Sequence, residues 1–177
     1  NRISGNSRSG IALYASNYND IHNNTIQENG EQGIEFLTGA VSSSNVIFHN
    51  LIKNNSENGI SMNDWHHDLN SILNNTIQDN LISGNSTGIL IDGSSSPPTQ
   101  NTIKGNLIGT NATGTAALGN AMHGVFVSRS PGNTIGGLAA GAGNVISGNG
   151  QYGVWIFGSE STGNVVAGNL VGTDQAG

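Results

Sequence analysis

The hydrophobic positions of this chain run in short alternations that restart every few residues. In NDIHNNTIQEN, residues 19–29, an isoleucine stands two places after one asparagine and another two places after the next, and GIEF follows at 33–36. The same order returns as NVIFHNLIKNN with GISM and as NTIQDNLISGN with GILI. Looser copies are NTIKGNLIGTN with GVFV, then NTIGG, NVISGN and GVWI, and finally NVVAGNLVGTD, while NRISGN with GIAL opens the chain. A period of two places the Asn and Ile of each N-x-I on one face, which the helical period does not. Each unit therefore predicts three very short strands separated by turns rich in Asn and Gly.

Strands this short, repeated in a fixed order, predict one coil each of a parallel solenoid whose stacked strands form three long sheets. About seven coils spaced by ~4.8 Å would make a rod roughly 30 Å long. The expected core stripe of the third strand is Ile11, Leu13, Ile34, Phe36, Ile60, Met62, Ile89, Ile91, Val125, Val127, Val154 and Ile156. The glycine before each of these pairs is expected to supply a turn with positive φ.

If Ile3, Ile82 and Ile146 point inward, the N-x-I spacing turns Asn1, Asn80 and Asn144 inward with them. A buried amide without a partner costs about 1–3 kcal/mol. Asparagines stacked at equivalent turns avoid that cost by bonding the backbone and the amide of the next coil. The predicted structural ladder comprises Asn1, Asn6, Asn24, Asn29, Asn50, Asn55, Asn80, Asn85, Asn106, Asn111, Asn144, Asn149 and Asn169.

Composition narrows the function classes. Charged residues are 9% of the chain, against an ordinary share of about 25%. Glycine and asparagine occur 27 times each. A net charge of -6 with five Lys and Arg leaves no basic patch for phosphates, so nucleic acid is not an expected partner. No apolar run reaches the ~20 residues that span a bilayer. The absence of cysteine excludes disulfides and thiolate metal sites.

The repeats resemble those of right-handed parallel β-helix proteins: the pectate lyase superfamily, NosD-like periplasmic proteins and large prokaryotic surface proteins. The phrases NLIGTNATGTAALGN and GAGNVISGN are most similar to tandem repeats of long secreted or surface-anchored proteins. The resemblance covers essentially the whole chain, residues 1–177, and implies one all-β right-handed parallel β-helix in an extracellular or cell-surface setting. It does not fix function, because this fold carries lyases, hydrolases, epimerases, adhesins and spacers.

A polysaccharide lyase or epimerase of this kind implies several acidic residues and an Arg, Lys or His on one outward face. Of the outward first-strand positions read here, only Asp20 and His22 pair two ionisable groups. On the third strand Glu35 and Asp92 face outward two coils apart, with no arginine joining them. The densest cluster is NDWHHDL, holding Asp64, His66, His67 and Asp68, and it reads more simply as a solvated loop than as a site. His123 reads as a solitary loop residue. Leu51, Leu81, Leu107, Val145 and Leu170 fall at the outward second-strand position of consecutive coils, a stripe that marks either a contact surface or the bed of the insertion GGLAAGAG.

The resemblance, together with the absence of a catalytic constellation in these residues, implies a non-enzymatic extracellular structural module: a stalk, adhesin or fibre unit with no cofactor and no metal. The rival is a carbohydrate-active enzyme with Asp20, His22, Asp64, His66 and Asp68 as its suspects and an extracellular polysaccharide as its partner. NLVGTDQAG and Asn1 both fall mid-unit. Uncapped ends are therefore expected, stacking on further coils of the same chain or on another copy.

Overall fold

The computed structural model describes residues 1–37, 41–63, 72–93 and 96–173. Strands of two to four residues pair only with the equivalent strand of the neighbouring coil, always in parallel. Among the described residues the first-strand sheet holds six strands, from Asp20–His22 to Val165–Ala167. The second-strand sheet holds seven, from Arg2–Ser4 to Leu170–Val171. The third holds six, from Ile11–Leu13 to Val154–Phe157. Seven coils are thus reached on one side of the solenoid and six on the other two. A short fourth side, Ser42–Ser43 against Ile72–Leu73 with a bridge from Leu73 to Thr99, extends three coils.

The core is built from rows rather than from a cluster. Ile21, Ile47, Ile77, Ile103 and Ile135 are in register along the first sheet. Ile26, Ile52, Ile82, Ile108 and Ile146 run along the second. Branched side chains suit such rows because each packs on its copy one coil away. The third-strand stripe is buried from Leu13 to Val127, but Ile11 and Val154 are half-buried and Ile156 is exposed, since no described coil packs over the last one.

The corners carry a rule. The residue before most ladder asparagines takes positive φ even when it is not glycine, as Asn23, Glu28, His49, Asn54, Asn74 and Asp79 do, whereas Gly119 before Asn120 and Gly143 before Asn144 do not. The glycines that precede the third strand do not take positive φ, contrary to expectation. A Cβ on Gly59 would lie 2.7 Å from the carbonyl oxygen of Gly88 and 2.7 Å from Cγ2 of Ile82. Glycine is needed there for close approach between coils, not for backbone freedom.

Candidate functional site

Three asparagine ladders run along the corners. In the first, the side-chain amides of Asn1, Asn24, Asn50, Asn80, Asn106 and Asn144 each donate to Oδ1 of the next asparagine, ending on Asn169, at 2.8–3.2 Å. From Asn24 onward the backbone N–H donates to that same oxygen. The second ladder links Asn6, Asn29, Asn55, Asn85, Asn120 and Asn149. The third, absent from the predicted set, links Asn19, Asn45, Asn75, Asn101 and Asn133, whose backbone N–H then donates to Asn164. From Asn29 to Asn144 every rung is buried.

Asn111 is not a rung. An insertion follows Leu107–Ile108, and Oδ1 of Asn111 instead accepts from Thr113, Thr115 and Ala116 within that loop, leaving the rung to Asn120. The distance that matters runs backward from the glycine. Asn29, Asn55, Asn120 and Asn149 each lie four residues before Gly33, Gly59, Gly124 and Gly153, and Asn85 lies three before Gly88.

The apolar stripe is one column, with Leu51, Leu81, Leu107, Val145 and Leu170 in hydrogen-bonded register. Val145 is buried and the leucines are half-buried. Two grooves follow one another along the column. Leu51, Leu81 and Leu107 border a groove of about 440 Å³ with Ala112, and Val145 and Leu170 border one of about 350 Å³ with residues of the insertion at 137–143. That insertion is pinned by the Gly105 N–H donating to Ala142 O at 3.2 Å.

The enzymatic suspects do not converge. Asp20 and His22 are exposed, His22 stacks on Phe48 at 4.7 Å, and the row positions beside them in the next coil are Val46 and Phe48. Asp64, His66 and Asp68 lie outside the described residues. Carboxylates do gather on the outer face of the third sheet, in a groove of about 460 Å³ bordered by Glu31, Glu35, Glu57 and Ser61. Each of the three has a partner: Ser9 donates to Glu35 at 2.7 Å, Arg8 pairs with Glu31 at 3.5 Å, and Gln32 donates to Glu57. Asp92 is not without an arginine, since Arg129 pairs with it at 2.8 Å and also donates to Gly93 O. The sequence hides this pair because its members are 37 residues apart, at a corner of adjacent coils.

His123 is not a solitary loop residue either. Its ring stacks on Tyr152 at 5.5 Å and lies 4.8 Å from Trp155 and 5.3 Å from Phe126, while Trp155 stacks on Phe126 at 4.5 Å. Burial lowers its pKa below the ordinary 6.5.

The family model described as periplasmic copper-binding protein (NosD) matches residues 40–135 and 69–177, and the model described as right handed beta helix region matches residues 1–77. The chain belongs to the NosD family. The solenoid is accordingly right-handed. A crystal structure of a double mutant of the periplasmic alginate epimerase AlgG shares the fold, with a TM-score of 0.64 at 18% identity over 94% of this chain and 38% of that one. The A-module of the Azotobacter vinelandii mannuronan C-5 epimerase AlgE6 matches 94% of this chain and 56% of its own length, at 18% identity and a TM-score of 0.48. This NosD-family chain thus spans well under two thirds of either epimerase structure. No curated protein matches the sequence.

Copper binding is in the family's description, and a copper centre needs several donor side chains held together. Among the described residues no three of His, Cys, Asp and Glu stand together as a metal requires. The softer donors are equally scattered: Met62 is buried in the core and Met122 lies at the surface against Ser86. The described coils do not fit a copper centre.

Proposed function

We propose that this NosD-family chain is a non-catalytic structural module of the extracytoplasmic space, a rigid solenoid used as a spacer or scaffold. The observation that carries this reading is the use of the outward carboxylates. Among the described residues Glu31, Glu35, Glu57 and Asp92 are each engaged by a neighbouring side chain. General acid–base catalysis needs a free, pKa-tuned group within reach of a reacting atom. The family and the fold support placement in the periplasm or outside the cell. In the same reading the solenoid's faces take further coils, of the same polypeptide or of a second copy. Val166, in an inward row, is 45% exposed, while its row partner Ile135 is 0% exposed.

A second reading rests on the third-sheet groove. Three carboxylates along a trough of this size suit a sugar chain, and a polysaccharide-modifying enzyme would place its substrate there rather than at Asp20 and His22. Uronate polymers incubated with the purified chain separate the two readings. Unsaturated ends are followed by absorbance and inverted C5 centres by proton NMR. The structural reading expects neither product. Conversion that disappears in Glu35→Gln would overturn it.

A further inference from the structure

We propose that His123 is an acid-sensitive latch, holding the aromatic corner of the last two coils closed while its ring is neutral and opening it when the ring takes up a proton. The His123 side chain is 1% exposed, and neither Nδ1 nor Nε2 has a hydrogen-bond partner. A neutral imidazole has one N–H to donate and one lone pair to fill, and here both are sealed off from solvent without a partner. Gly10, Gly33, Gly59 and Gly88 are preceded by Ser9, Gln32, Asn58 and Thr87. Gln32 uses this position to accept from the backbone N–H of Asn58 at 2.9 Å. His123 occupies it without any such bond.

The surroundings explain why a proton would open the corner. From the turn at 151–153 Tyr152 lies flat over the imidazole, from the strand Val154–Phe157 Trp155 leans on its edge, and from Val125–Ser128 comes Phe126. Thr87 precedes it in the column of the coil before. None of these carries a charge, Tyr152 is the only other titratable group among them, and none of the ion pairs among the described residues reaches His123. Ring faces attract a cation, but they accept hydrogen bonds poorly, so an imidazolium would hold two unpaired N–H groups and a charge away from water. Release is simple because the cover is thin: Tyr152 itself is half-exposed. Swinging the imidazole outward would hydrate it and uncover Trp155 and Phe126 together. Histidine is the side chain whose charge changes nearest physiological pH, and because burial lowers the His123 pKa the change comes below the ordinary 6.5.

The test uses the full chain with Trp65→Phe, which leaves Trp155 as its only tryptophan. Histidine proton resonances and Trp155 emission are followed together between about pH 8 and about pH 5. The expected result is one imidazole with a midpoint below 6.5, coincident with a red shift of Trp155, and loss of that shift in His123→Phe with the native fold retained by circular dichroism. Tyr152→Ala should raise the midpoint of the same imidazole by removing its cover. His123 titrating at the ordinary value with Trp155 unchanged would overturn the latch, as would an identical emission change in His123→Phe.

Discussion

Asn50 donates twice to a single atom one coil away, with its backbone N–H 2.9 Å and its side-chain amide 3.1 Å from Oδ1 of Asn80. Asn80 repeats the pattern onto Asn106 and also reaches Ile47 O at 2.8 Å. Removing one rung's side chain therefore unpairs groups in the coil before it, while Oδ1 of Asn106 keeps the backbone N–H of residue 80. Asn80→Leu adds apolar surface to the core, yet it leaves the buried backbone N–H of Asn50 without its acceptor and takes the side-chain donor from Ile47 O, while the Asn50 amide keeps Ile21 O and Phe48 O. With two buried groups unpaired at about 1–3 kcal/mol each, against roughly 1.5–3 kcal/mol gained by burying a leucine, the net loss should be about 2 kcal/mol at the middle of these ranges. Asn111→Leu, in a surface loop off the ladder, should change stability by less than about 1 kcal/mol. Urea unfolding of the two variants checks the contrast.

Gly59 and Gly132 make a second pair. Alanine at Gly59 would press its Cβ on Gly88 O and Ile82 Cγ2, and neither a backbone carbonyl in the ladder nor a core isoleucine can move freely. The cost expected of such overpacking is about 1–3 kcal/mol. Gly132 has positive φ and open space around it, so alanine there should cost only the left-handed backbone term, about 1–2 kcal/mol. Urea unfolding of Gly59→Ala and Gly132→Ala, each against the parent chain, checks the two costs.

The Arg129–Asp92 pair predicts an asymmetry. Asp92 is the more buried partner, with 13% of its side chain exposed against 45% for Arg129. Arg129→Met strips the carboxylate of its cation and Gly93 O of its donor, and should cost about 1–2 kcal/mol. Asp92→Asn keeps a hydrogen-bond acceptor and should cost less than about 1 kcal/mol. Thermal melts of both variants, at low and at high salt, would check the order.

His123 also sets the sign of a pH dependence. Burial places its folded pKa below the unfolded value of 6.5. Above 6.5 both states are neutral at this site and its contribution is constant. As pH falls below 6.5 the unfolded chain binds the proton first, so stability declines until the folded pKa is passed. His123→Phe should flatten that part of the stability profile.

The sequence made the rows legible because period-two alternation and a fixed N-x-I offset leave Asn24, Asn50, Asn80, Asn106 and Asn144 one orientation only. Counting forward from the strand fails at Asn111, where an insertion enters between strand and rung, while counting back from Gly124 finds Asn120. The glycine column is visible as letters, but its reason is a contact between coils 29 residues apart at Gly59 and Gly88, which no local turn rule contains. Arg129 and His123 were hidden for a related reason. Their partners come from other coils, and register alone does not tell where a corner side chain turns.

The asparagines, on this account, hold coils together and perform no chemistry. Hydrogen exchange of the side-chain amides in 15N-labelled chain tests that claim most directly. The amides of Asn50, Asn80 and Asn106 should exchange only with global unfolding, as the backbone amides of Ile52 and Ile82 do, while the exposed Asn23 exchanges freely. Fast exchange at Asn80, equal to that at Asn23, would contradict the ladder.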